Sequence, residues 1–206
     1  MKHTPALPLP PAVVSRETTA RIEAFVPLLL RWNARINLIG QTTEAGLRER
    51  HIADSLQLLP LVPPGDGPLG DIGTGGGFPG LLLAMAFTRP VHLVESDRRK
   101  AAFLQTVVGE LGLAHVAVHA ARVEDVALPP LAVLTARALA PLEKMLPWAE
   151  RLLAPEGVAI FPKGRAALEE WEATLPGWTM SAERFKSSTE PDASIFRLSR
   201  INRAGA

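Results

Sequence analysis

The chain contains no cysteine in its 206 residues. Disulfide bonds, zinc–thiolate centres and cysteine nucleophiles are therefore excluded. Long apolar runs are missing as well, because no segment reaches the roughly 18 consecutive apolar residues of a membrane-spanning helix. The proline-rich N-terminal stretch also has no apolar core of the length found in signal peptides. We therefore expect a cytoplasmic protein that does not associate with a membrane.

An excess of charge of either sign is also absent. Lysine and arginine number 22 against 21 acidic residues, which leaves a formal net charge of +1. So small an excess does not by itself indicate a nucleic-acid partner. Basic side chains do cluster locally, but solvated helix faces account for each cluster taken alone. The clusters lie within residues 48–51, 98–100, 163–165 and 197–203.

Proline and glycine concentrate in residues 60–68, which form the clearest break in the chain. Before this break, apolar residues recur at helical spacing and predict helices over residues 15–33 and 44–59. After it, short apolar segments alternate with helical stretches, as in a parallel sheet covered by helices on both faces. We therefore expect an N-terminal helical extension over residues 1–64 and a Rossmann-like α/β domain over residues 65–206.

Seven segments of the second part have the character of strands. The last two are separated by a polar turn and are expected to form an antiparallel pair, whereas the others alternate with helices and are expected to run parallel. The predicted strands cover residues 69–73, 91–95, 115–119, 131–136, 158–162, 178–186 and 193–200.

The densest local signal is the glycine-rich turn D-I-G-T-G-G-G-F-P-G at residues 71–80, between the first strand and the first helix of the domain. Glycine lets the backbone approach a ligand closely, and ligands of open α/β sheets bind at this edge of the sheet. The turn contains the dinucleotide fingerprint G-x-G-x-x-G, which begins at Gly75. It also contains D-x-G-x-G-x-G, the usual turn of methyltransferases, which begins at Asp71.

Electrostatics favours a methyl donor over a dinucleotide. A dinucleotide would place its pyrophosphate over this turn, where the carboxylate of Asp71 would oppose the phosphate charge. S-adenosylmethionine has no phosphate and carries a sulfonium and an ammonium group, which Asp71 can favour through charge or a bridging water. Alternatively, Asp71 only caps the backbone of the turn. A nicotinamide-dependent oxidoreductase stays the rival hypothesis.

Two further positions suit the adenosine part of such a ligand. Glu95 ends the predicted second strand, at the distance from the turn expected of an acid that accepts hydrogen bonds from ribose hydroxyls. Because both candidate ligands contain a ribose, Glu95 does not distinguish them, and an acid at a helix N-terminus is the alternative. The loop with Val123 and Glu124 is expected to face the adenine, with a backbone N–H at the ring edge. A short capped helix is the alternative there.

The absence of certain residues and motifs limits which methyl acceptors are possible. Methylation at C5 of a pyrimidine normally needs a cysteine nucleophile, which is absent. Methylation of an exocyclic base nitrogen usually accompanies an Asn/Asp-Pro-Pro-aromatic segment after the fourth strand. The corresponding residues 135–141, T-A-R-A-L-A-P, contain no such segment. Ring nitrogens, hydroxyl groups and small molecules remain as acceptors.

A series of motifs resembles the RsmG family, also called GidB, of bacterial 16S ribosomal RNA (guanine-N7)-methyltransferases. The resemblance extends over nearly all of residues 31–163. Phe78, Ala121 and Ala136 depart mildly from the residues that are frequent in the family. The motifs are W-N-x-x-x-N-L at 32–38, R-H-I-x-D-S-L at 50–56, the glycine turn with P-G at 79–80, E-S at 95–96 followed by Lys100 and F-L at 103–104, R-x-E at 122–124, R-A at 137–138 and K-G at 163–164.

This resemblance implies a class I methyltransferase fold, S-adenosylmethionine as the cofactor and N7 of a guanine in 16S ribosomal RNA as the acceptor. The guanine is then expected under the N-terminal extension. The expected cofactor contacts are Asp71, Gly73, Gly75, Gly77, Phe78, Glu95, Val123, Glu124 and Arg137. The expected catalytic and acceptor contacts are Asn37, His51, Arg137 and Lys163. No metal ligand is expected.

The chemistry of this acceptor requires no general base, because guanine N7 already carries an in-plane lone pair. His51, Asp54 and Ser55 do not form a catalytic triad, since they lie within one helical turn and no strained nucleophile elbow surrounds Ser55. The weakly basic chain is expected to act as a monomer on a small ribosomal subunit particle rather than on free RNA. A non-enzymatic RNA-binding protein on the same scaffold is the second alternative.

Overall fold

The computed structural model describes residues 6–7, 12–40 and 44–205. Its centre is one mixed sheet in the strand order β1-β7-β8-β6-β5-β2-β3-β4. The strands are β1 (Ala6–Leu7), β2 (Leu69–Ile72), β3 (Val91–Val94), β4 (Val116–His119), β5 (Leu131–Thr135), β6 (Leu153–Lys163), β7 (Trp178–Lys186) and β8 (Ser194–Arg203). The α-helices are α1 (Arg16–Asn33), α2 (Glu44–Leu47), α3 (Asp54–Leu56), α4 (Gly80–Ala86), α5 (Arg98–Glu110), α6 (Leu142–Leu152) and α7 (Ala167–Thr174).

The sheet confirms the predicted class I methyltransferase architecture. Strands β2 to β6 pair in parallel, and β8 lies antiparallel between β6 and β7. The two-residue strand β1 adds to the edge by pairing in parallel with β7, which the sequence analysis did not predict. Helices α4 and α5 contribute to an apolar cluster on one face of the sheet, and α6 and α7 to a second cluster on the other face.

Helix α1 is attached to the domain through aromatic packing. Phe25 is fully buried, with its ring centroid 5.8 Å from that of Phe78 and 6.3 Å from that of Phe103. Ser15 caps the helix by accepting a hydrogen bond from the N–H of Thr18, as expected of an N-cap serine. Helix α1 and the sheet contribute to the same apolar cluster. The division of the chain into an extension and a domain at residue 64 stays a prediction.

The second predicted helix, residues 44–59, is not one continuous α-helix. It is divided into α2, a π-helical turn at Arg48–Ala53 and α3, followed by a 3₁₀ turn at Leu59–Leu61. A π-helical turn changes the register of backbone hydrogen bonds, and such turns are frequent at functional sites. Here the carbonyl of Arg50 accepts a hydrogen bond from a guanidinium of another segment, as described below. Within the described residues, no helix is both long and apolar enough to span a membrane.

We predict that Phe25→Ala lowers the free energy of unfolding by about 3–5 kcal/mol, the usual cost of removing a fully buried aromatic ring. Urea denaturation followed by circular dichroism measures this change. Val13→Ala is the control and should stay within about 0.5 kcal/mol of wild type, because Val13 is 88% exposed.

The shape of the transition also tests the domain division. A single transition for Phe25→Ala indicates that α1 and the sheet unfold together, whereas an early separate transition indicates an independent extension. An unfolding midpoint equal to that of Val13→Ala would contradict the packing described for Phe25.

Candidate active site

The glycine turn lies at the carboxyl end of β2 and holds three glycines in the left-handed region. Gly73, Gly75 and Gly77 have φ of +64°, +58° and +94°. A Cβ at Gly73 would lie 2.4 Å from Cδ1 of Leu139, a flexible side-chain end that can shift, so the positive φ is the main reason for glycine there. A Cβ at Gly75 would meet only a carbonyl oxygen at 3.9 Å. The backbone at Gly75 therefore faces open space that a ligand can approach.

The carboxylate of Asp71 is fully buried beneath this turn. One oxygen accepts a hydrogen bond from the N–H of Gly80 at 2.9 Å, and the other accepts from the hydroxyl of Thr135 at 2.8 Å. Burial raises the pKa of Asp71 to about 6, although the hydrogen bonds to its carboxylate act in the opposite direction. Both oxygens are engaged within the protein, and the expected effect of Asp71 on the cofactor, through charge or a bridging water, stays a prediction. Its cap of the turn, the alternative interpretation, is the observed one.

Glu95 follows β3 and braces the same turn from the other side. One carboxylate oxygen accepts from the N–H of Gly75 at 2.9 Å, and the other accepts from the N–H of Asp97 at 2.8 Å. An ionised carboxylate offers about four lone-pair sites, so Glu95 retains capacity for hydroxyl donors. The geometry thus fits the predicted ribose contact, which stays a prediction.

The loop after β4 is held in place by α6. Arg151 donates hydrogen bonds to the carbonyls of Val123 and Val126. Among the described residues, no acceptor pairs with the N–H groups of Val123 and Glu124. A free backbone donor at this position suits the edge of an adenine ring. The loop therefore fits the predicted adenine contact, and the assignment stays a prediction.

A cavity of about 1000 Å³ opens between the glycine turn, the π-helical turn and the ends of β5, β6 and β8. The structure brings six of the predicted site residues to its wall and leaves the others outside it. The residues on the wall are His51, Gly73, Gly75, Phe78, Arg137 and Lys163, and those outside are Asn37, Asp71, Gly77, Glu95, Val123 and Glu124.

Asn37 was predicted to contact the acceptor, but its side chain is exposed and does not line this cavity. The neighbouring Asn33 instead organises this segment. Its side-chain oxygen accepts from the N–H groups of Leu38 and Ile39, each at 2.9 Å. Leu38 and Ile39 then line the cavity. A role for Asn37 in acceptor binding stays a prediction.

Arg137, two residues after β5, binds the N-terminal helical segment with both terminal nitrogens. One nitrogen donates to the carbonyl of Arg50 at 2.9 Å and lies 3.1 Å from the carboxylate of Asp54, and the other lies 2.8 Å from Nδ1 of His51. The guanidinium carbon also lies 5.4 Å from the ring centroid of Phe78. Arg137, His51, Asp54 and Phe78 are called the Arg137 cluster below. The predicted alternative for Arg137, a salt bridge to a nearby acid, is thus present.

His51 is a neutral member of this cluster. Burial and the charge of Arg137 lower its pKa to about 4, so the ring is uncharged at neutral pH. A guanidinium has only donors, so Nδ1 must accept and the ring proton sits on Nε2. The ring of His51 also packs on Phe78, with centroids 5.1 Å apart. His51 therefore offers one N–H donor and no positive charge to the cavity.

The sequence analysis missed the residues that hold Asp54. Its second oxygen accepts from the amide of Gln57 at 2.6 Å and from the hydroxyl of Thr189 at 2.8 Å. Gln57 is buried, and its own oxygen accepts from the backbone N–H of Ser188 at 2.8 Å. Asp54, Gln57, Ser187, Ser188 and Thr189 are called the Gln57 network below. The position of Gln57 directly after the R-H-I-x-D-S-L motif is the signal that could have drawn attention to it.

Lys163 is placed at the cavity wall but is already paired. Its ammonium lies 2.7 Å from the carboxylate of Glu170 and donates to the carbonyl of Ala140 at 2.7 Å. The side chain is only 9% exposed. Lys163 thus supports the loop after Arg137, in which Ala138 has φ of 51°. The predicted contact of Lys163 with phosphate stays a prediction. Among the described residues, no three His, Asp or Glu side chains group to hold a metal ion.

Solved structures with bound S-adenosylmethionine or SAH share this fold. The O-methyltransferase from Bacillus cereus in complex with SAH matches with a TM-score of 0.57 at 16% identity, covering 86% of this chain and 91% of that chain. A mutant of MtNAS in complex with S-adenosylmethionine matches with a TM-score of 0.59 at 17% identity, covering 88% and 75%. The fold is that of a class I methyltransferase.

Sequence similarity identifies the family within this class. The model of the GidB family, described as rRNA small subunit methyltransferase G, matches residues 18–195. Proteins named Ribosomal RNA small subunit methyltransferase G are similar over most of both chains. The one from Acidiphilium cryptum is 52% identical, covering 94% of this chain and 90% of its own. The one from Granulibacter bethesdensis is 48% identical, covering 92% and 89%. The chain belongs to the GidB family, which confirms the resemblance found in the sequence.

We predict that Asp71→Asn changes the pH dependence of stability. The folded pKa of Asp71 is raised from 3.8 to about 6, so the folded wild type retains a proton that the unfolded chain releases between these values. Wild type should therefore lose stability relative to Asp71→Asn as pH rises through this window, by up to about 3 kcal/mol. Urea unfolding of both proteins at several pH values measures the difference. Parallel stability profiles would contradict the assigned pKa.

We also predict that His51 remains neutral, with its proton on Nε2, until the pH approaches about 4. Two-dimensional ¹⁵N NMR of the imidazole nitrogens reports both the tautomer and the titration midpoint. His51→Gln identifies the signal by its disappearance. A midpoint at the ordinary value of 6.5, or a proton on Nδ1, would show that Arg137 does not donate to this ring.

Proposed function

We propose that this protein transfers a methyl group from S-adenosylmethionine to N7 of a guanine in 16S ribosomal RNA. The observation that carries the proposal is the cavity between the open glycine turn and the Arg137 cluster, in a chain of the GidB family. The cavity is large enough for a nucleobase beside the methyl end of the cofactor. We further propose that the protein acts as a monomer in the cytoplasm on a small ribosomal subunit particle.

The cofactor is assigned to the carboxyl edge of β2 to β5. The open backbone at Gly75, the remaining lone pairs of Glu95 and the free N–H of Val123 would hold its amino acid, ribose and adenine parts in that order along the edge. Its sulfonium supplies an activated methyl group. Asp71 contributes by holding the shape of the turn rather than by direct contact, since it is fully buried.

The chain provides orientation rather than proton transfer. N7 of guanine attacks with its own lone pair, so no residue has to remove a proton, and alignment of the acceptor with the methyl group is the main catalytic requirement. We assign this alignment to the Arg137 cluster. Neutral His51 can donate to a guanine acceptor atom through Nε2, and Arg137 can order O6, a phosphate or the carboxylate of the cofactor. The ring of Phe78 packs against both His51 and Arg137 and supports them as a flat apolar surface.

Lys163 and Asn37 are assigned to the acceptor side. Lys163 keeps the loop after Arg137 in place through Ala140, and a phosphate would have to compete with Glu170 for its ammonium. Asn37 lies on the exposed segment that leads to the cavity wall at Leu38. Both assignments predict weaker binding of the RNA and unchanged binding of the cofactor when the side chain is removed.

The test is methyl transfer from labelled S-adenosylmethionine to unmethylated small ribosomal subunits. We expect Arg137→Ala to lower the rate about 100-fold, the loss typical of a misplaced acceptor. The affinity for S-adenosylhomocysteine should change much less if Arg137 orders O6 or a phosphate, and should fall as well if Arg137 orders the carboxylate of the cofactor. Arg16→Gln is the control, because Arg16 is exposed at the start of α1. An unchanged rate for Arg137→Ala would remove Arg137 from the mechanism.

The same material distinguishes the rival functions. Binding of NADH and not of S-adenosylhomocysteine would indicate an oxidoreductase, and subunit binding without methyl transfer would indicate an RNA-binding protein. Mass spectrometry of 16S RNA should detect N7-methylguanosine in wild-type cells and its loss in cells without the gene. Free 16S RNA should be a poorer substrate than the subunit.

A further inference from the structure

A second cavity of about 400 Å³ lies beside the active-site cavity and has a basic wall. Its lining includes Arg165, Arg184 and Lys186, and this second cavity is called the basic pocket below. Ala193 and Ser194 line both cavities, so the basic pocket and the active site share one wall.

The fold places these three cations together. Arg184 and Lys186 are two residues apart on β7, so both project from the same face of the sheet. Ala182 belongs to the same alternation and packs against the cluster that contains Trp171 of α7, which shows that this is the face covered by α7. Arg165 comes from the segment just before α7.

The charge of the basic pocket is poorly compensated. Asp192 is 3.7 Å from Arg165, but both side chains are largely exposed, and such pairs contribute little energy. Nε of Arg184 is buried and has no hydrogen-bond partner in the described part of the chain. A buried donor without a partner is costly, so the Arg184 guanidinium is incompletely satisfied by the described residues. By contrast, two of the three arginine and lysine residues at the active-site wall are paired, Arg137 with Asp54 and Lys163 with Glu170, and the third is Arg50.

We propose that the basic pocket binds a backbone phosphate of the RNA strand adjacent to the target guanine. This proposal rests on the proposed function, because it requires an RNA whose guanine occupies the neighbouring cavity. The methyl donor contains no phosphate, so a phosphate at this pocket belongs to the acceptor. Contacts with phosphate position a nucleic acid without reading its sequence. The pocket therefore fixes the path of the strand, while the active-site cavity selects the base.

The test uses the full chain with Arg184→Gln, Lys186→Gln and the double variant, and Arg16→Gln as the matched control on the opposite face of the sheet. Affinity for unmethylated small subunits is measured over a range of KCl concentrations. Each lost phosphate contact should reduce the slope of log K against log [KCl] by about 1. The KM for subunits should rise, with kcat and the affinity for S-adenosylhomocysteine unchanged.

The outcomes separate this proposal from the proposed function. If wild type methylates subunits and the double variant keeps the wild-type slope and KM, the basic pocket does not bind RNA. If wild type transfers no methyl group, the proposed function itself fails. Lys186 is exposed, so Lys186→Gln remains informative if Arg184→Gln does not fold. The last measurement is calorimetric titration of wild type and the double variant with inorganic phosphate. If the double variant loses phosphate binding but keeps the wild-type slope of log K against log [KCl] for subunits, the pocket has no role in RNA binding.

Discussion

The architecture of the site depends on the bonds that Arg137 makes with the N-terminal helical segment. All three acceptors, the carbonyl of Arg50, the ring of His51 and the carboxylate of Asp54, lie within five residues of one another. One side chain, two residues after β5, therefore bonds that segment at three points. The ion pair with Asp54 is largely shielded, with both side chains 18% exposed, so breaking it costs more than breaking a surface pair.

The Gln57 network holds the same segment from a second direction. The amide of Gln57 has two donors and an oxygen with two lone pairs, and all are directed at Asp54 or at residues 187–189 of the turn between β7 and β8. Asp54 is consequently bonded on one oxygen by Arg137 and on the other by Gln57 and Thr189. The cavity wall is thus determined by polar contacts from distant strands, whereas α1 is held by apolar packing around Phe25.

Elements that depend on local pattern were predictable from the sequence, and those that depend on distant partners were not. Apolar periodicity predicted the strands, and the glycine-rich motif predicted the turn between β2 and α4. Asp71 is buried on the central strand β2 and accepts a hydrogen bond from Thr135, 64 residues away. A D-x-G-x-G-x-G pattern is the same whether its acid is buried or exposed. The π-helical turn at residues 48–53 is likewise supported by Arg137, and nothing in the local helical pattern distinguishes it.

The same limit explains the placement of Lys163. A phosphate at Lys163 has to compete with Glu170 of α7, whose carboxylate lies 2.7 Å from the ammonium. Pairing of this kind has a chemical consequence. In N7 methylation one positive charge passes from sulfur to the guanine, so the net charge of the reacting groups does not change. A strong field from an unpaired cation at the cavity wall would oppose both reactant and product at short range. Compensated pairs at Arg137 and Lys163, together with a neutral His51, provide donors for orientation without adding such a field. Arg50 also lines this cavity, with an exposed side chain. The cations of the basic pocket lie outside the cavity, where phosphate charge is the expected partner.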